Sequence, residues 1–518
     1  MNRPSRLFTA IDIGSHKLKM KIVETNSEGE VRILETADLL IPLGRDTFND
    51  GKLSFESVKK TCEAIQGFKR LMTDYGVKEW RIVATSAIRE ASNRDFMIDR
   101  IRLLTGFDAE IINNSQEKFL IYKAIKWQLN NSETIKTQEP TLILNIGAGS
   151  IQLLLTENNL LVSSQSLKIG ALRIKESISK LEKHTLNFTR VLEEYIEAHI
   201  ESVEYLKSSN EITNFVLVSA EFEQLLTVLG LVVPQRVMAL DKARFNEIYE
   251  KILTMTTQSI AESYGLSLAE AELFVPALIL IRKFFEKTSH KKIIIPNVSL
   301  VDGMIVERVN MNERKESKID FSQDILFYVR NLAERYKYNK KHSEFVEETS
   351  LIIFDQMASI HGLDKKARFL LQIAALLHDT GKYIGADPHY IYSYNIIKAA
   401  QVIGLSDEDL LIVASVARYH SQEAPSFESS GITKLATGDK ITAMKLIAII
   451  RIADALDTSH KQKLKLLSLG AKEGRFVIKA EVSEEVILET WTFQMKAEFF
   501  TEVFGMEPIL QIKNRLLG

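Results

Sequence analysis

One cysteine, Cys62, stands in a chain of 518 residues. A single thiol excludes internal disulfides and any thiolate metal site. Long apolar runs are also missing. No stretch of about 18 apolar residues occurs, and the opening MNRPSRLFTAID has no apolar core of signal-peptide length. A cytoplasmic protein without a membrane partner is therefore expected. An excess of either charge is absent as well: 66 Lys+Arg against 68 Asp+Glu give a formal net charge of −2. Residues 311–518 are balanced too, with 27 Lys+Arg against 28 Asp+Glu. This argues against a bulk DNA binder, and a polyanionic substrate would need a local basic groove. The length predicts about two to four domains.

What the chain does have is a pair of matching turns. In Leu142-Ile-Leu-Asn-Ile-Gly-Ala-Gly-Ser-Ile-Gln-Leu153 an apolar run ends in an Asn, and a Gly-Ala-Gly-Ser turn leads into a second apolar run. Phe8-Thr-Ala-Ile-Asp-Ile-Gly-Ser15 has the same form. Glycine permits a tight turn whose N–H groups can face an anion. Two such hairpins predict two related lobes facing each other across a phosphate site.

Around these turns, residues 6–50 read as strands and Ser54–Tyr75 as a helix, with Val58, Cys62, Ile65, Phe68, Leu71 and Met72 at helical spacing. Strands are expected at 80–85 and 107–112, and a helix over Gln116–Leu129. The second part repeats the scheme, with strands at 141–146, 150–156, 160–167 and 215–219, helices through 174–203 and on to about 288, and 293–309 closing the lobe. Polar stretches at 130–141 and 310–320 mark boundaries. Amphipathic helices follow to about 465, then a tail with strands at RFVIKAEV and VILETWTF and a last helix. The domains expected are 1–129, 130–309, 320–465 and 466–518.

IDIGS at 11–15, ATSAIREASN at 84–93, EIINNSQEKFLIY at 110–122 and LILNIGAGS at 142–150 resemble, in order and spacing, the exopolyphosphatase/guanosine pentaphosphate phosphohydrolase (Ppx/GppA) family. The resemblance implies an α/β fold of two ribonuclease-H-like (actin-like ATPase) lobes followed by an all-α HD-type domain, commonly as a homodimer. It also implies removal of terminal phosphate from inorganic polyphosphate or a guanosine polyphosphate (pppGpp) with Mg²⁺ or Mn²⁺. Under it Asp12 holds the cation, Gly14, Ser15, Gly147, Gly149 and Ser150 contact phosphate, and Arg89 clamps phosphate oxygens. Glu117 directs the attacking water.

The chain departs from the family pattern. His16 replaces an Asn, Asn113-Asn114 replace Ser-Gly, and Gln116 replaces a second Glu. Ala148 replaces a glycine. Asn145 and Gln152 stand where two carboxylates belong, so as metal contacts they supply no charge. Ser219-Ala220-Glu221 replaces Gly-Gly-Thr, placing a carboxylate in an expected phosphate loop, and Val301-Asp302 replaces Arg-Glu.

Downstream, His342, the His378-Asp379 pair of LLHDTGK and Asp454 resemble the metal ligands of HD-domain phosphohydrolases. The His378-Asp379 pair is expected inside a helix. His389 and His420 could add ligands for a second divalent metal or a phosphate contact. Tyr392 stands where a His would support a binuclear set. Three functions therefore stay open: a phosphoanhydride hydrolase working between the lobes, a degenerate phosphate- or nucleotide-sensing protein, and a metal-dependent hydrolase of the helical domain.

Overall fold

The computed structural model describes residues 6–514 apart from 27–29, 131–137, 148, 183–187, 202, 204–211, 232–236, 290, 313–318, 422, 473 and 483. Ala148 and parts of both expected boundary segments thus lie outside the described residues. Two compact units are present, Met1–Asp324 and Ile325–Gly518.

The first unit builds one strand scheme twice. β1 (Arg6–Ile13), β2 (Lys17–Thr25) and β3 (Val31–Leu40) form an antiparallel meander. β4 (Glu79–Ala84) adds parallel to β1, and β5 (Glu110–Ile111) parallel to β4, giving the order 3-2-1-4-5. β6 (Thr141–Ile146), β7 (Ile151–Glu157) and β8 (Leu160–Leu167) repeat the meander. β9 (Asn214–Ser219) joins parallel to β6, β11 (Lys292–Ile295) parallel to β9, and β10 (Met238–Asp241) antiparallel at the edge, giving 10-11-9-6-7-8. The central strands β1 and β6 are buried along almost their whole length, as expected for strands covered on both faces. Asp12 and Asn145 occupy the same penultimate position in β1 and β6.

Helices complete each core. α1 (Phe55–Asp74) is N-capped by Ser54, whose Oγ accepts from the Ser57 N–H, and buries Cys62, Ile65, Phe68 and Met72 against the first sheet. α2 (Ser86–Glu90) follows β4, and α3 (Asn114–Asn130) follows β5. α4 (Ala220–Val228) follows β9. α5 (Leu300–Asn312) returns to the first sheet and packs on β1, β2 and α3. A Cβ on Gly303 would stand 2.1 Å from the Leu120 carbonyl oxygen, so the approach of α5 to α3 requires glycine there.

Several local expectations change. Residues 43–50, expected among strands, form a helix that ends at Gly51 with φ 69°. Of the strand expected over 107–112, only Glu110–Ile111 forms strand, and the Ile112 N–H still donates to the Ala84 carbonyl of β4 at 3.1 Å. Ser219-Ala220-Glu221 is not a loop: Ser219 caps α4 and Glu221 lies in its first turn.

The second unit holds α6 (Lys340–Gln356), α7 (Lys365–Leu377), α8 (His389–Ala400), α9 (Asp407–Arg418) and α10 (Thr437–Ala455). A sheet ordered β12 (Leu464–Lys472), β13 (Arg475–Val482), β14 (Glu507–Asn514) follows them, with α11 (Ile487–Phe504) between its last two strands. The VILETWTF stretch, expected as a strand, therefore lies largely in α11. Packing against α10 selects the helix, burying Glu489, Phe493, Lys496 and Phe500 at spacings of three and four. Among the described residues no single helix is long and apolar enough to cross a membrane.

Candidate functional site

Two places gather chemistry, one in each unit. In the first unit a cavity of about 530 Å³ brings together Asp12, Gly14, Ser15, Glu117, Asn145, Gly147, Gly149 and Ser150. The strand scheme explains why, since Asp12 and Asn145 stand one residue before the ends of the two central strands and the Gly-Ser turns follow those ends. Both turns close alike. The Gly14 N–H donates to the Lys17 carbonyl at 3.1 Å, and the Gly147 N–H to the Ser150 carbonyl at 2.9 Å. A Cβ on Gly14 would meet that Lys17 oxygen at 2.8 Å.

These closures change what the expected phosphate contacts can do. The N–H groups of Gly14 and Gly147 are used inside their own turns. The Ser15 hydroxyl lies 2.7 Å from the Ser86 hydroxyl and accepts from the Ala87 N–H at 3.1 Å, tying the first turn to α2. The Gly149 carbonyl accepts from Arg173 Nε at 2.7 Å. Arg89, expected to clamp phosphate, and Gln152, expected to contact metal, are not in the lining. Arg89 donates to the Ile112 carbonyl at 2.7 Å, to Glu117 Oε2 at 3.1 Å and to Asn114 Oδ1. It therefore fixes the start of α3 and the Glu117 carboxylate. Asn145 and Gln152 face each other across β6 and β7, and Asn145 Nδ2 donates to Gln152 Oε1 at 3.0 Å. That hydrogen bond occupies the Gln152 oxygen expected to contact metal.

The basic groove required for a polyanion is not what the cavity presents. Asp12, Asp38, Glu117, Glu221, Glu223 and Glu270 line it, against Lys17 and Lys19. Lys17 is 3.9 Å from Glu270, and Lys19 is 3.8 Å from Asp38. Burial, and next the Glu117 carboxylate, pushes the Asp12 carboxyl up to about 7. Burial likewise raises Glu221, although the Ser219 hydroxyl donates to it at 3.1 Å, and raises Glu223. Burial, then Lys17, lowers His16 to about 4, so it stays neutral. Asp12 Oδ1 is sealed from solvent without a hydrogen-bond partner. A buried orphan carboxylate oxygen beside further carboxylates fits a hard cation.

In the second unit the fold draws His342, His378, Asp379, His389, His420 and Asp454 into one centre. His378 and Asp379 do not lie inside a helix. α7 ends at Leu377, His378 caps it, and a 3₁₀ turn over Thr380–Tyr383 follows Asp379. Gly381 permits that turn, because a Cβ there would stand 2.0 Å from the His389 carbonyl oxygen. His342 Nε2 is 3.3 Å from Asp454 Oδ1 and 3.3 Å from His378 Nε2. Its Nδ1 is 2.8 Å from Asp457 Oδ2. Burial opposes a charge on His342, but the hydrogen bonds to Asp454 and Asp457 outweigh it and raise the ring to about 9. Burial lowers His378 to about 3. Lys496 Nζ donates to Asp454 Oδ2 at 2.5 Å, and Lys382 Nζ to Asp379 Oδ2 at 2.5 Å.

Sequence reasoning missed Asp457, which holds His342; His460, stacked on His342 with ring centroids 3.7 Å apart; and the two lysines. Three of the histidines that the sequence did single out share one local arrangement. Ala375, Ala386 and Ala417 each precede a site histidine by three residues, and each backbone carbonyl receives that histidine's Nδ1.

Two sheets of one topology, meeting at paired Gly-Ser turns, define a protein of the two-lobed, actin-like α/β class. The model of the Ppx/GppA phosphatase family matches residues 22–312, and that of Ppx/GppA phosphatase, domain III, matches residues 327–499. The chain belongs to the Ppx/GppA phosphatase family. It is 21% identical over 461 residues to a guanosine-5'-triphosphate,3'-diphosphate pyrophosphatase of Photobacterium profundum, covering 87% of each chain. A protein of the same name from Pseudoalteromonas atlantica is 21% identical over 486 residues, covering 89% of this chain and 88% of the relative. Among solved structures, an exopolyphosphatase from Cytophaga hutchinsonii has a TM-score of 0.52 at 19% identity, and the Aquifex aeolicus family member 0.50 at 20%. Each match covers 59% of this chain and 98% of the other.

Proposed function

We propose that the first unit is a phosphoanhydride hydrolase that removes terminal phosphate from inorganic polyphosphate or pppGpp. The observation that carries the reading is the sealed, unpartnered oxygen of Asp12 in a cavity that also holds Glu117. Asp12, with the Asn145 amide, would hold Mg²⁺ or Mn²⁺, and the ion would neutralise phosphate charge that this acidic lining otherwise repels. Glu117, oriented by Arg89, would accept the proton of the attacking water as a P–O–P bond breaks and the shortened phosphate chain leaves. The names of the relatives favour guanosine polyphosphates, and the name of the Cytophaga structure favours polyphosphate. The test is phosphate release from each substrate by the purified chain with Mg²⁺, against Glu117→Ala. Release at least tenfold above that variant supports hydrolysis. Tight binding of either substrate without release would instead favour a sensor, the reading that the Asn145–Gln152 pair supports.

A second reading concerns the second unit. The convergence of His342, His378, Asp379 and Asp454 supports an HD-type domain that binds a divalent metal. Metal content of the full chain before and after His378→Ala tests it; equal content would end it.

A further inference from the structure

Both Gly-Ser turns spend the N–H of their first glycine on closing themselves, so a phosphate must find its donors later in each turn. In the second turn one such donor is left. The Ser150 N–H has no hydrogen-bond partner among the described residues, and Ser150 lines the cavity. The direction of that N–H is set by the peptide it belongs to. The Gly149–Ser150 peptide is trans. In a trans peptide the carbonyl of one residue and the N–H of the next point in opposite directions. Arg173 takes the Gly149 carbonyl, its Nε donating to the oxygen at 2.7 Å. Arg173 is not among the residues lining the cavity. The Ser150 N–H therefore turns away from Arg173, to the side where the cavity lies.

Glycine itself offers little resistance to rotation of this peptide plane. A stiffer residue does not fit, because a Cβ on Gly149 would stand 2.8 Å from Phe48 Cζ and 3.0 Å from Ser86 Oγ. Turned over, the plane would put the Gly149 oxygen into a cavity already lined by carboxylates, repelling phosphate instead of binding it. Arg173 is well placed to prevent this, since its own position is fixed. Its Nη2 donates to Glu90 Oε2 at 2.7 Å, and its guanidinium carbon lies 4.2 Å from the centre of the Phe48 ring. The preceding Ala171 and Leu172 are buried and anchor the start of the helix Ala171–Glu182. A planar guanidinium held on its face and at one end presents Nε in a single direction.

We propose that Arg173 is a positioning residue for phosphate: by holding the Gly149 carbonyl it aims the Ser150 N–H at a phosphate oxygen of the substrate. The proposal rests on the reading of the first unit as a phosphate site and adds the residue that orients its backbone donor. Glu90 steadies the guanidinium but does not touch the peptide, so its charge is dispensable as long as an oxygen remains for Nη2.

The chain offers a direct probe, since Gly14-Ser15 and Gly149-Ser150 are its only Gly-Ser steps. The full chain, isotope-labelled at the glycine carbonyl carbon and the serine nitrogen, gives one magnetic-resonance amide signal for each step, and Ser150→Ala assigns them. The ligand is imidodiphosphate with Mg²⁺, whose P–N–P bridge resists hydrolysis. At saturation the Ser150 amide proton is expected to move downfield, the mark of a new hydrogen bond to an anion. Arg173→Leu should weaken imidodiphosphate binding about tenfold by calorimetry, the worth of a hydrogen bond to a charged oxygen, and should abolish that shift. Arg173→Lys, which keeps one donor for the carbonyl, should recover part of both, and Glu90→Gln should bind like the parent. Binding with the Ser150 amide unmoved, or equal binding by the parent and a folded Arg173→Leu, would overturn the role of Arg173 and leave the phosphate reading standing. A loss in Glu90→Gln as large as in Arg173→Leu would overturn it too, by assigning the effect to the ion pair. No binding by the parent would overturn both readings. Should Arg173→Leu fail to fold, as judged by circular dichroism, the Ser150 shift of the parent and the other two variants decide the matter.

Discussion

Asn145→Asp combined with Gln152→Glu restores the carboxylates of the family pattern, and the structure sets what this does. The two side chains meet at 3.0 Å between Asn145 Nδ2 and Gln152 Oε1, and Gln152 is 2% exposed. Two negative charges at about that distance repel by about 5 kcal/mol at an effective dielectric constant near 20. The pair escapes part of this by keeping one proton, which at pH 7 costs about 4 kcal/mol for a carboxyl of ordinary pKa near 4.3. The smaller figure applies, so the double variant should lose about 4 kcal/mol at pH 7 without metal. The folded-state pKa of one carboxyl is raised. The loss is therefore absent below the unfolded pKa, grows as pH rises through it, and is only about 1 kcal/mol at pH 5. Mg²⁺ binding to the folded state should reverse it, by about 2.7 kcal/mol at a hundredfold excess over Kd. Urea unfolding at both pH values, with and without Mg²⁺, measures all of this, and phosphate release should rise in parallel. Equal destabilisation at pH 5 and pH 7, or no extra stabilisation by Mg²⁺ relative to the parent, would refute the reasoning.

Arg89→Ala should destabilise the first unit by about 3 kcal/mol, because it strands the Glu117 carboxylate and the Ile112 carbonyl; unchanged stability with a raised KM for polyphosphate would instead mark Arg89 as a phosphate clamp. Arg89→Lys should recover only part of the loss, since one ammonium cannot serve three acceptors held in a guanidinium's geometry. Mg²⁺ affinity should fall about tenfold per pH unit below about 7 and level off above it, as the ion must displace the Asp12 proton. Calorimetric titration across that range checks this, and a pH-independent affinity would remove Asp12 from the ligand set.

Much of the architecture was legible because it rests on short-range pattern. Apolar periodicity located β1, β4, β6, β7 and α1, and the repeated Gly-Ser turn announced two sheets of one scheme. Where the chain read wrongly, a distant partner decided. VILETWTF has the β-branched and aromatic residues of a strand but forms α11 through packing on α10. Residues 43–50 span little more than two helical turns, too short a window for a helical period to be told from a strand, and their helix stops at Gly51.

The sequence by itself determined the family, the placing of Asp12 and Asn145 at equivalent strand ends, and the identity of every histidine and aspartate in the proposed metal centre, because motif order and residue type are properties of the chain. Tertiary structure decided which atoms are free to act. Hydrogen bonds formed between segments far apart in sequence turn Arg89 towards Glu117, and the closure of the two turns uses the N–H groups of Gly14 and Gly147. Folding also brings His389 and His420 to the second oxygen of Asp379. Spacing along the chain carries no record of these meetings, since each depends on where helices and turns far apart in sequence come to rest.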